Sequence, residues 1–157
     1  MQMPESELIR GECLVRELQF NEDVKLTRKG LVRWLALSLG LISPHESRTG
    51  LLEVFEALLY FHFRRRESRS DPDIHAILAK IKEIRKNDPN PKAVRYHLLQ
   101  LKKLGIIETK KRKYRFVLAP LQENDDLSAG LSHVYRQRMD SSFEKMKKAL
   151  SLLEKTL

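Results

Sequence analysis

Apolar positions along the chain recur mostly at three- and four-residue intervals and alternate with polar ones over one short stretch near residue 115. That pattern predicts a mainly α-helical protein with one small β-hairpin. Leu8, Ile9, Leu14, Val15 and Leu18 fall at roughly helical spacing and predict a helix over 5–19. Thr27 as N-cap and Gly40 as C-terminal stop bound a helix over 28–39. Ser43-Pro44-His45-Glu46 reads as a capping box with proline at the first helical position. A helix over 51–66 follows, and its centre, VFEALLYFHF, is apolar on most faces, which suits a core or an interface. Asp71-Pro72 repeats the cap-then-proline signal, and the helix over 72–86 aligns Ile74, Ile77, Leu78, Ile81 and Ile84 before Asn87-Asp88-Pro89. Asn90-Pro91 opens a third helix that runs to Leu104 and stops at Gly105. Residues 106–118 read as a hairpin, with Ile106 to Thr109 first, a turn at Lys110-Lys111-Arg112-Lys113, and an alternating run from Tyr114 to Leu118. Pro120 and the polar stretch 122–126 break the chain before a final helix over about 126–157.

These elements divide the chain into an N-terminal helical extension (1–50), a central unit (51–120) and a C-terminal helix (126–157). In the last helix Met139, Phe143, Met146, Leu150, Leu153 and Leu157 are spaced 4, 3, 4, 3 and 4 apart, with Leu131 and Tyr135 as candidates to extend the stripe. That is the spacing of a heptad seam, and the expectation is a homodimerisation helix.

Composition narrows the class. A chain of 157 residues with 41% hydrophobic and 32% charged residues buries a real core and keeps a charged surface. Cys13 is the single cysteine, so neither an internal disulfide nor a thiolate zinc site can form. The polar, acidic start MQMPESELIR does not read as a secretory signal, and the apolar runs 31–42 and 51–63 are short and carry charge. The expected location is the cytoplasm. The net charge of +9 is concentrated: residues 91–120 carry nine basic groups against one acidic group, whereas 1–40 and 121–157 are each balanced. Basic charge focused on one short segment points to a polyanionic partner.

The same segment carries a motif. Val94, His97-Leu98, Leu101 and Leu104-Gly105-Ile106-Ile107 resemble the recognition helix and first wing strand of ArsR- and MarR-like transcriptional regulators. The resemblance extends over 51–118 in element order and over about 91–117 in motif. It implies a winged helix-turn-helix fold in which the third helix enters the DNA major groove and the hairpin lies on the backbone. On that reading Lys92, Arg95, Tyr96, Gln100 and Lys103 face DNA from the helix, with Arg95 and Gln100 suited to guanine and adenine edges. Lys110, Lys111, Arg112 and Lys113 would meet phosphates from the wing. The wing is short and lacks a glycine at its tip, and residues 1–50 lie outside the resemblance.

Other features read more plainly. Arg64-Arg65-Arg66 complements the C-terminal end of a helix dipole. His45, His62, His75, His97 and His133 are scattered without ligand spacing, so no metal or cofactor is expected. No nucleophile elbow, phosphate loop or dinucleotide turn is present, which argues against an enzyme. The expected function is sequence-specific binding of double-stranded DNA by a homodimeric transcriptional regulator. The alternative is a non-catalytic winged-helix assembly subunit that binds protein partners in a replication or transcription complex.

Overall fold

The computed structural model describes residues 3–68, 70–121 and 126–157, the side chains of 66–68 excepted. The chain is mainly helical with one two-stranded antiparallel hairpin. Contacts group it into two units, Met1–Phe116 and Val117–Leu157.

The N-terminal segment is not the helix that its apolar spacing predicts. Only α1 (Glu5–Leu8) and α2 (Glu22–Lys25) are helical before α3 (Arg28–Ser38), and most of 9–20 has no regular structure. The reason lies in what that strap bonds to. The Arg16 guanidinium donates to the Leu37 and Ile42 carbonyls at 2.8 Å each. Its backbone N–H bonds Ser38 O, and the Trp34 indole N–H bonds Gln19 O at 2.8 Å. Arg16 thus ties the strap to the last turn of α3 and to the loop that follows it. Thr27 caps α3 by accepting from Gly30 N, and Gly40, at φ +71°, closes it in a Schellman turn with Leu41 N bonded to Ala36 O.

Ser43-Pro44-His45-Glu46 is a second correction. It is a turn, closed by Glu46 N on Ser43 O at 3.1 Å, with His45 at φ 65°. The left-handed residue turns the chain away from a helical path. The next helix, α4 (Gly50–Ser68), begins later and supplies Val54, Phe55, Ala57, Leu58 and Leu59 to the core. It is the central helix, packed on α3, α5 (Ile74–Arg85) and α6 (Pro91–Lys103). The cap of α5 is Asp73, which accepts from Ala76 N; Asp71 and Pro72 precede the helix. Pro72 instead gives its carbonyl to Tyr114 N at 2.8 Å. Asn90 caps α6 as expected, accepting from Lys92 N and Ala93 N, and Pro91 takes the first turn. Gly105, at φ +79°, ends α6 in the same Schellman pattern, with Ile106 N on Leu101 O.

The hairpin pairs β1 (Ile107–Lys110) with β2 (Lys113–Phe116). Ile106, Ile107 and Phe116 are buried, and Phe116 meets Phe55 edge-on at 6.2 Å between ring centroids. With Ile77 and Ile81 of α5 and Val94, Leu98 and Leu101 of α6, they complete one core beneath α4.

In the second unit, α7 (Leu127–Thr156) is capped by Asp126, which accepts from Ser128 N and Ala129 N. Gly130 admits a close approach of the preceding chain, since a Cβ there would sit 2.6 Å from Val117 O. Of the break expected at Pro120 and 122–126, residues 122–125 lie outside the described residues.

Candidate nucleic-acid interface

Helix α6 is two-sided because its apolar residues are. Val94, Leu98 and Leu101 are buried at i, i+4 and i+7. The remaining arc carries Lys92, Arg95, Tyr96 and Lys103, all exposed. Gln100 sits at the margin and is half-buried. Leu99 is also on the outward side and 47% exposed; the residue-type reading passed over it because leucine at helical spacing signals core.

The hairpin tip holds a feature that its composition hides. Lys110 pairs with Lys113 as the last rung, so the turn is the two residues Lys111 and Arg112. Both are left-handed, at φ 53° and 65°. That is a type I′ turn, whose preferred residues are Asn-Gly. Two large cations occupy it instead, and the ladder end therefore presents Lys110, Lys111, Arg112 and Lys113 together, all exposed. Lys102 Nζ donates to Thr109 Oγ1 at 3.0 Å, which ties β1 to the last turn of α6. Across the ladder, Arg115 Nε meets Glu108 Oε1 at 2.7 Å. Behind the hairpin the Tyr114–Pro72 bond fixes β2 to the chain entering α5.

Several cations elsewhere in the unit pair with acids: Lys25 with Glu22, Arg65 with Asp71, Lys80 with Glu83, Lys82 with Asp88 and Arg85 with Glu53. Along α6 and the hairpin, Glu108 is spent on Arg115. Lys92, Arg95, Lys103, Lys110, Lys111, Arg112 and Lys113 have no acidic partner among the described residues. A surface that keeps seven unpaired cations together bears a positive potential directed at solvent.

His97 faces the other way. It packs against the start of α4, where a Cβ on Gly50 would lie 2.8 Å from its Nε2. Burial pulls its pKa below 6.5, and Glu53 opposes that shift. It belongs to the α4–α6 contact.

The arginine run at the end of α4 has local partners: Arg64 lies over the Tyr60 ring at 5.7 Å, and Arg65 pairs with Asp71. The Arg66 side chain lies outside the described residues. Among the described residues there is no group of three or more potential metal ligands, and no helix is long and apolar enough to cross a membrane. No family model, curated protein or solved structure matches the chain.

Proposed function

We propose that the chain is a winged-helix protein that binds double-stranded DNA in a sequence-specific manner and regulates transcription as a homodimer. One observation carries the reading. Seven cations without an acidic partner among the described residues sit on the outward face of the third helix of a three-helix core and on the tip of the hairpin that follows it. Those are the two places from which a winged helix meets DNA: the helix in the major groove, the wing on the adjacent backbone. The Tyr114–Pro72 bond supports the fold, because it lays the chain between the first two helices of the core along the hairpin edge. Arg95 and Gln100 read base edges, while Lys103 and the four residues 110–113 hold phosphates. The homodimer rests on α7, whose apolar seam from Phe143 to Leu157 is exposed.

The test is duplex binding as a function of salt. Each phosphate contact contributes a slope of roughly −0.9 in log affinity against log salt. Alanine at all four of Lys110, Lys111, Arg112 and Lys113 should weaken binding to every duplex and flatten that slope by about 3 to 4 units. An unchanged slope removes the wing from the interface. No duplex binding at all favours the protein-binding assembly subunit.

A further inference from the structure

The most outward line of α6 is not uniformly cationic. Lys92, Tyr96, Leu99 and Lys103 follow one another at i, i+4, i+7 and i+11, opposite the buried face of Val94, Leu98 and Leu101. Its two middle members are apolar or largely so, and both are open to solvent, Tyr96 at 58% and Leu99 at 47%. Arg95 is exposed beside them, one turn before Leu99.

Phosphate oxygens offer nothing to an isobutyl group, so a helix that only held the backbone would gain from a lysine or serine at 99. The base edges of the major groove offer one apolar group, the C5 methyl of thymine. A cytosine methylated at C5 places the same group at the same edge. We infer that Leu99, with the Tyr96 ring beside it, forms an apolar contact that reads the C5 methyl of a 5-methylpyrimidine, between the polar contacts of Arg95 and Lys92. This rests on the proposal that α6 enters the major groove. Leu99 then sets preference at one base position through burial of a methyl group, independently of the charges that set affinity.

The experiment uses the full chain and its preferred duplex, selected from random sequence. Deoxyuridine, which differs from thymidine only by that methyl, replaces each thymidine in turn. Losing one buried methyl should weaken binding about fourfold at the contacted position and leave the salt slope unchanged. Leu99→Ala should bind thymine and uracil duplexes equally while keeping the wild-type salt slope. Its exposure means that the truncation opens no cavity. In a further duplex, cytosine replaces the contacted thymine. If 5-methylcytosine there restores affinity, the methyl is read from either source; if it does not, thymine is the source. Equal binding of thymine and uracil duplexes by the wild type at every position overturns the inference, as does discrimination that survives in Leu99→Ala. In both cases salt-dependent duplex binding persists, and the proposed function stands. Absence of duplex binding overturns both.

Discussion

At the scale of single residues, the hairpin tip shows a choice against local stability. Lys111 and Arg112 are left-handed at φ 53° and 65°, a conformation in which a Cβ crowds the backbone at about 1 kcal/mol or more per position. Lys111→Asn with Arg112→Gly gives the turn its preferred residues. Chemical denaturation should show the double variant more stable by roughly 1–2 kcal/mol. The same variant loses two cations, so its duplex affinity should fall and its salt slope should shrink by about 1.8. A less stable variant would refute the strain argument, whatever happens to binding.

His97 makes a second prediction at this scale. Burial holds its pKa below 6.5 in the fold, so the unfolded chain takes up the proton first as pH falls. Protons bound preferentially to the unfolded state destabilise the fold, and the effect levels off once the folded imidazole is also protonated. Between about pH 7.5 and pH 5 the wild type should lose more Tm than His97→Gln. Parallel Tm curves for the two proteins would show that His97 titrates normally.

Among the elements, α6 is the one whose behaviour follows most directly from its own residues. Its cap, its buried positions at 94, 98 and 101 and its glycine stop are all legible in the sequence, because each depends on bonds within a few residues. Two other elements depend on distant partners. The apolar spacing of 8–18 suggests a helix, yet that strap is held by Arg16 on carbonyls twenty or more residues away. Propensity loses there to a charge-assisted bond whose acceptor no local pattern names. Helix α7 depends in its first turns on Gly130. Gly130→Ala would drive a methyl against the backbone oxygen of Val117, which cannot rotate aside, and should lower stability by about 1–3 kcal/mol. An unchanged thermal midpoint would show that the segment 117–118 shifts freely.

At the scale of the whole molecule, α7 is buried in its first turns and exposes apolar side chains to solvent in its last ones. Leu127, Leu131, Val134 and Tyr135 are buried, so Leu131 and Tyr135 are not an extension of an open seam. Met139 is half-buried, and from Asp140 to Leu157 every residue is exposed, the seam positions Phe143, Met146, Leu150, Leu153 and Leu157 among them. A helix with solvent on all faces has little to stabilise it, since most helical stability comes from packing. Burying such side chains is worth about 1.5–3 kcal/mol each, and a second copy of the seam would cover them. Asp at both Leu150 and Leu153 should therefore convert a dimer to a monomer in light scattering at micromolar concentration. Affinity for a duplex with two half-sites should fall much more than affinity for one. A wild-type chain that scatters as a monomer would end the dimer reading.

The sequence by itself determined what short-range chemistry controls. Caps at Thr27 and Asn90, stops at Gly40 and Gly105, the buried face of α6 and the clustering of charge at 91–120 all follow from residue type and spacing. The tertiary structure decided whatever needs two distant segments. It placed the cap of α5 at Asp73, leaving the Pro72 carbonyl to receive Tyr114 N from the hairpin. It tied 9–20 to α3 without regular structure, and it paired Arg115 with Glu108 while leaving seven cations without acids among the described residues. It also turned Leu99 outward, since burial of a leucine depends on what packs against its helix and not on its own identity.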